Sequence, residues 1–458
     1  MPKKNDLVKL EISDVTNLGF GVGKIDGMVV FVSEAVVGDL VECRIIKLAS
    51  SYAVGKLERI IRPSEQRCTP RCENKLCHAC PYKNTSYSYE LKAKENLVRS
   101  EMKKAGLEIN VMPTVPSPNV NYYRNKAQYP ISKGKNGEYT IGFFAPKTHR
   151  VIPAHDCPLA KRGFSAILET LIDLFKKTNL SVYDEESGRG LLRHVYLRAN
   201  DDASEVLLTL VINGKELPGE DIFAKVLKEK HPELAGFLLN FNEKNTNVIL
   251  GKEYRTVFGK SAIIDTLAGV RLEISAPSFY QINHGTTELI YSKARELARL
   301  EKSDTLLDLY CGLGSIGLSM ANAAGELIGI EIVPDAVRCA TLNAKRNGIE
   351  NAHFYASDAK DTKKILEGAE MALGRKIMPD VIILDPPRAG ADESLVEFIS
   401  SLSPKRIVYI SCNPATLARD LKRFFPLGYS ADTVYPYDMF PMTGHVESVV
   451  CLKRQIQQ

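Results

Sequence analysis

The chain has 458 residues, of which 44% are apolar and 25% charged, so disorder, collagen and a coiled coil are excluded for it as a whole. No run approaches the roughly 20 apolar residues that span a bilayer, and Met-Pro-Lys-Lys-Asn-Asp at the start has no apolar signal core behind it, which predicts a cytoplasmic protein of about two to four domains. The formal charge of +5 is uneven: residues 1–60 balance eight basic against eight acidic side chains, residues 61–135 carry fourteen against six, and the remainder is slightly acidic, so the basic block is a candidate polyanion surface.

Residues 7–60 read as short strands between Gly and Asp turns. The alternating Val8–Ile12 stretch, the turn or bulge Gly19-Phe-Gly-Val-Gly23, and the runs Met28–Val32, Val41–Ile46 and Ala53–Leu57 predict a small closed barrel. Pro63 ends it. Next come Cys68, Cys72, Cys77 and Cys80, four of the ten cysteines within thirteen residues. A reducing cytosol does not favour structural disulfides, so this cluster points to a metal. Residues 87–106 predict a helix with Leu91, Leu97, Val98 and Met102 on one face and Gly106 as its cap. Residues 107–270 mix strands and helices, with Val206–Ile212 and Gly236–Phe241 the clearest strands. From about 286 helix and buried strand alternate. Helices are predicted at 286–300, 315–323, 334–347, 391–402 and 415–425, and strands at 305–310, 326–331, 351–355, 380–385 and 406–411. That is a doubly wound α/β sheet.

The strand at 305–310 runs into Cys311-Gly312-Leu313-Gly314-Ser315-Ile316-Gly317, a G-x-G-x-x-G loop that also fits a dinucleotide fingerprint. Asp308, ahead of the glycines, suits a cationic sulfonium better than a pyrophosphate. Glu331, ending the next strand, is placed to hold ribose hydroxyls. These two features favour S-adenosylmethionine over a dinucleotide. Asp358 follows the third strand, where an acid can take an adenine amino group. The fourth ends in Asp385-Pro-Pro-Arg388, an acidic-Pro-Pro motif common in methyltransferases that act on planar substrates. The fifth delivers Cys412-Asn-Pro at its carboxyl end, the active rim of such a sheet. There a thiol is either a nucleophile or a packed cysteine. Near the C-terminus, Glu447 stands between valines in a predicted strand, costly unless it faces a site or a salt bridge. His445 is the rival base.

Carbon 5 of uracil is a poor nucleophile. Thiolate addition to carbon 6 makes the ring an enolate that attacks an electrophilic methyl, and a base then removes the carbon 5 proton so that the thiol can leave. One cysteine, one base and S-adenosylmethionine suffice, provided the target base leaves its stack. The segments Phe279-Tyr-Gln281-Ile-Asn283, Asp308-Leu-Tyr-Cys-Gly-Leu-Gly314, Glu331, Asp358, Asp385-Pro-Pro-Arg388, Ser411-Cys-Asn-Pro414 and Thr443-Gly-His-Val-Glu-Ser448, in this order, resemble the RNA 5-methyluridine (uracil-5-)methyltransferase family. The resemblance is specifically to its ribosomal RNA branch, which has a TRAM barrel and an iron–sulfur cluster. The resemblance implies a class I, Rossmann-like methyltransferase domain, with Cys412 as nucleophile and Glu447 as proton acceptor. It implies S-adenosylmethionine contacts at Gln281, Tyr310, Ser315, Glu331, Asp358 and Asp385, and makes Phe279 a stacking partner near the flipped base. The family often has Asn in place of Ser315.

The cysteine spacing is Cys68-x3-Cys72-x4-Cys77-x2-Cys80, with Cys157 downstream. The C-x3-C-x2-C of radical enzymes is absent. Four thiolates suit a [4Fe–4S] cluster or zinc. Relatives in the family use C-x5-C-x2-C plus a distant cysteine, and Thr69-Pro-Arg-Cys72 resembles that context. The implied ligands are therefore Cys72, Cys77, Cys80 and Cys157, with Cys68 in reserve, in a structural cluster that organises an RNA-binding loop. Arg62, Arg67, Arg71 and Lys75 surround it, and Tyr122-Tyr-Arg124-Asn-Lys126-Ala-Gln128 interleaves aromatic and basic residues, as suits single-stranded RNA. The expected organisation is a barrel at 1–60, a mixed α+β RNA-binding domain at 61–270 and a methyltransferase domain at 271–458, acting as a monomer without a membrane. The expected activity is methylation of a uridine in 23S ribosomal RNA. Transfer RNA, a catalytically silent RNA-binding protein and a dinucleotide oxidoreductase are the competing readings.

Overall fold

The computed structural model describes residues 2–16, 19–145, 148–154, 156–374 and 376–455. It divides into two compact units, one of residues 1–118, 386–396 and 409–458 and the other of residues 119–385 and 397–408.

The first unit opens with a closed five-stranded barrel of Leu7–Val15, Gly21–Ile25, Met28–Val32, Leu40–Leu48 and Tyr52–Arg62. Closure depends on Met28–Val32 pairing parallel with Tyr52–Arg62, while its other pairings are antiparallel. The alternation read from Val8–Ile12 puts Val8, Leu10 and Ile12 inside with Val30, Val32, Val41, Cys43 and Ile45. Cys43 is thus a packing residue, and burial pushes its thiol up to about 11. The cysteine-rich segment that follows is irregular. Its two limbs are laced by backbone bonds from Cys68 to Asn84 and from Arg71 to Lys83. Helix Tyr87–Lys104 then starts at a Ser86 cap and closes at Gly106, whose positive φ releases the chain. Its buried face differs from expectation. Leu91 and Leu97 are half-buried, and the buried stripe is Glu90, Lys94, Val98 and Met102, joined by Glu95. Farther along, helix Pro414–Phe424 is capped by Asn413, and the long helix packs against it. Thr433–Tyr437 pairs antiparallel with Glu447–Arg454 and parallel with Asn110–Val111.

The second unit holds a seven-stranded sheet in the order 253–259, 234–241, 206–212, 192–199, 126–133, 139–144, 151–153. Helices Phe164–Thr178 and Glu220–Lys230 supply Phe164, Leu168, Leu171, Phe175, Phe223 and Leu227 to its core. Beyond the hairpin of Ala262–Leu267 and Val270–Ser275 come four parallel strands. Their order is Ala352–Ala356, Glu326–Glu331, Thr305–Leu309, Val381–Leu384. The alternating pattern from 286 onward matches within two residues at almost every element boundary. One helix, Thr362–Leu373, lies in a stretch where no element was expected. Gly368 interrupts its apolar period and Met371 is exposed, so the pattern there is weak. Among the described residues no helix is long and apolar enough to cross a membrane.

Candidate active site

In the second unit, the carboxyl ends of the four parallel strands carry the residues expected to hold the cofactor. Thr305–Leu309 ends at Tyr310, which adopts a left-handed backbone with φ of 64°, a strained conformation for a tyrosine. Gly312 and Gly314 are also left-handed. No atom stands within 4 Å of where a Cβ on Gly312 would lie, so the backbone is open there. Gly314 is the N-cap of helix Ser315–Ala321. At the end of the neighbouring strand, Glu331 accepts from the Gly312 N–H at 3.1 Å and from the Val333 N–H at 2.9 Å. Ser357 N–H donates to the Glu331 carbonyl, which places Asp358 beside that strand end. Asp385 directly follows Leu384, which is in register with Leu309.

Asp308 is fully buried within its strand. One carboxylate oxygen accepts from the Gly317 N–H at 3.0 Å, and the other is buried without a hydrogen-bond partner. Burial pushes the carboxyl up to about 8, reinforced by the charges of Asp385 and Glu331. Burial also raises Asp385, to about 7. Desolvation thus holds both carboxyls toward their neutral forms, and a cationic ligand is what would favour their ionisation; the orphaned Asp308 oxygen fits the sulfonium or ammonium of S-adenosylmethionine. The Ser315 hydroxyl is already shared with the buried Tyr291 hydroxyl at 2.7 Å. Tyr291 had no signal in the sequence beyond an aromatic on a helix. Gln281 is half-buried, and its carbonyl accepts from Asn125 Nδ2 at 2.9 Å.

In the first unit, Cys412 is half-buried at the carboxyl end of strand Arg406–Ser411. The turn beyond it is built by side chains. Asn413 caps the next helix through the Ala415 N–H and donates its amide to the Arg388 carbonyl at 3.1 Å. The Thr416 hydroxyl donates to the same carbonyl. Arg388 itself is exposed, and its guanidinium lies 2.9 Å from His445 Nδ1. The two rival bases therefore differ in setting. His445 is exposed beside a guanidinium, whereas Glu447 is buried at the head of its strand, opposite Tyr437.

The residues expected around a metal are less gathered. Cys72 and Cys77 are half-buried and Cys80 is buried in the first unit, while Cys157 belongs to the second. Among the described residues no three His, Cys, Asp or Glu side chains form a group able to hold a metal ion. Two arginines read as RNA-facing are occupied internally. Arg67 pairs with the fully buried Asp39 at 2.6 Å, and Arg71 pairs with the fully buried Glu90 at 2.9 Å. Lys75 is exposed, as is Arg62. Phe279 is 64% exposed, with the Lys126 ammonium 5.9 Å from its ring centre.

A family model described as tRNA (uracil-5-)-methyltransferase matches residues 86–455, and a TRAM domain model matches residues 4–57. An uncharacterised RNA methyltransferase of Clostridium acetobutylicum is 38% identical over 99% of this chain and 98% of its own length. One from Listeria monocytogenes is 38% identical over 98% of both chains. Among solved structures, the Pyrococcus abyssi tRNA (uracil-54, C5)-methyltransferase in complex with S-adenosyl-L-homocysteine superposes with a TM-score of 0.77. It shares 25% identity over 97% of this chain and 100% of that one.

Proposed function

Because the chain belongs to the tRNA (uracil-5-)-methyltransferase family, whose model spans residues 86–455, we propose that this RNA methyltransferase acts on carbon 5 of a uridine through a covalent cysteine adduct. The observation that carries the reading is the pair of settings in one unit: a half-buried thiol, Cys412, at a strand's carboxyl end, and a buried carboxylate, Glu447, at the head of another strand.

S-adenosylmethionine, when bound, supplies an electrophilic methyl. Glu331 and Asp358 suit its ribose and adenine, Asp308 and Asp385 its cationic end, and Gln281, Tyr310 and Ser315 are its further proposed contacts. The Cys412 thiolate adds to carbon 6 of the uracil, and the pair displaced onto the ring makes carbon 5 nucleophilic. After methyl transfer, Glu447 takes the carbon 5 proton, the double bond re-forms and the thiolate leaves. Phe279, exposed and aromatic, is suited to stack on the extruded base.

Cys412→Ala is expected to abolish methylation and leave S-adenosylmethionine affinity unchanged. Glu447→Gln is expected to accumulate a covalent RNA adduct, since addition and methyl transfer proceed while proton removal fails. A Cys412→Ala enzyme that still methylates would overturn the mechanism.

Ribosomal RNA is the proposed substrate, on the resemblance of the barrel and cysteine segment to that branch. Transfer RNA is the second reading, favoured by the fold likeness to an enzyme acting on uracil 54 of tRNA. Mapping 5-methyluridine in ribosomal and transfer RNA from a deletion strain decides between them. A [4Fe–4S] cluster on Cys72, Cys77, Cys80 and Cys157 rests on the resemblance of this segment to the family, and no step above uses it. Anaerobic purification with iron and sulfide assays tests it, and one equivalent of zinc without sulfide excludes it.

A further inference from the structure

Glu447 is the first residue after a nine-residue loop, 438–446, that leaves the sheet at Tyr437 and returns opposite it. The loop is largely buried, and several of its polar atoms bond to residues far outside it. Lys94 Nζ donates to Asp438 Oδ1 at 2.6 Å and to the Phe440 carbonyl at 3.2 Å. Glu90 Oε1 accepts from the Met442 N–H at 2.6 Å, at a residue held at φ of 69°. Tyr87 donates to Asp438 Oδ2 at 2.8 Å, and the Tyr82 N–H donates to the Met442 carbonyl. Lys94 and Glu90 bond each other at 2.8 Å, and Arg71 closes the cluster on Glu90. Glu90, Asp438 and Lys94 are thus buried and Arg71 half-buried, two acids against two bases. Burying ions costs more than burying apolar groups of the same size, so fold stability alone does not require this arrangement. What the arrangement does fix is the path of the loop, at alternate residues. The same helix packs against Pro414–Phe424, the helix that begins two residues after Cys412.

We propose that Lys94 and Glu90, with Tyr87, are positioning residues for the proton-removal step. They hold loop 438–446 and thereby set where the Glu447 carboxylate stands, and Arg71 ties the cysteine-rich segment into the same brace. This rests on the reading of Glu447 as the proton acceptor. Loss of the brace should then stall the enzyme after methyl transfer rather than before it.

The test uses the full chain, S-adenosylmethionine and a pool of unmodified ribosomal and transfer RNA transcripts, comparing Lys94→Met, Tyr87→Phe and Glu447→Gln. Lys94→Met is expected to lose kcat by about tenfold or more, keep its KM for S-adenosylmethionine within about twofold, and build up an RNA adduct on denaturing gels as Glu447→Gln does. Tyr87→Phe, which removes one hydroxyl, should show the same adduct at lower yield and carries the test if Lys94→Met does not fold. Transcripts containing 5-fluorouridine, whose fluorine cannot leave as a proton, should trap wild type and variants equally. Adduct in Glu447→Gln but in neither brace variant overturns the inference alone. No adduct in Glu447→Gln overturns the reading of Glu447 and this inference with it.

Discussion

Asp308 and Asp385 are acids whose chemistry the fold changes through burial. An acid within a strand or directly after one is legible in a sequence, but its protonation is not, because the cost of charge depends on how completely water is removed. Burial raises Asp308 to about 8 and Asp385 to about 7. With folded values above those of the unfolded chain, the native state keeps protons that the unfolded state releases. These groups therefore favour folding most below about pH 4 and do so progressively less as pH rises toward 8. A cationic ligand reverses the preference. S-adenosylmethionine should then bind more tightly as pH rises from about 6 to 8, and should release protons on binding near neutral pH. Calorimetry in buffers of different ionisation enthalpy checks this, and Asp385→Asn should lower the number of protons released. Binding heat independent of buffer would contradict it. Ser315 carries a related lesson. Its hydroxyl answers to Tyr291 from another helix, a partner no local pattern announces.

At the scale of elements, period and punctuation were enough to locate most of the strands and helices from 286 onward, because each buried strand is a short apolar run and each helix has a marked start. Helix Thr362–Leu373 escaped where Gly368 interrupts the period. The cofactor loop is an element whose tolerance follows from packing. A Cβ on Gly317 would stand 2.6 Å from Asp308 Oδ2 and 2.9 Å from Leu327. Gly317→Ala is therefore expected to cost about 1–3 kcal/mol of stability from overpacking and to weaken S-adenosylmethionine binding, measured by thermal unfolding and titration. The long helix shows the opposite limit of pattern reading. Glu90 and Lys94, four residues apart, look like an exposed i,i+4 pair, but both are buried in the brace that holds loop 438–446. Removing one member of such a buried cluster costs about 3–5 kcal/mol, whereas the Tyr87 hydroxyl, bonded to the Asp438 carboxylate, is worth about 1.5–3 kcal/mol.

Over the whole molecule, the excess of basic residues in 61–135 pointed to a polyanion, and family membership agrees with an RNA substrate. The charge count overstates the surface available for it. Arg67 and Arg71 are spent on Asp39 and Glu90, while Lys75 remains exposed. Affinity for RNA should fall with salt, with a slope of about 0.7 per phosphate contact in single strands. Lys75→Ala is expected to flatten that slope, and Arg67→Ala is expected to leave it unchanged while lowering the unfolding temperature. Binding insensitive to salt would remove the electrostatic part of the interface.

The order of motifs, from the glycine loop through Asp385-Pro-Pro-Arg388 and Ser411-Cys-Asn-Pro414 to Glu447, was determined by the sequence alone, since strand ends and turn residues are local and period-bound. So were the alternation that builds the barrel and the separation of Cys412 from the clustered cysteines. Only the tertiary structure decided which charges are surface and which are internal. It assigned Arg67, Arg71, Glu90 and Lys94 to buried pairs, left one Asp308 oxygen without a partner, and tied the segment before Glu447 to a helix more than 340 residues earlier in the chain. Those outcomes depend on desolvation and on partners distant in sequence, neither of which leaves a periodic trace.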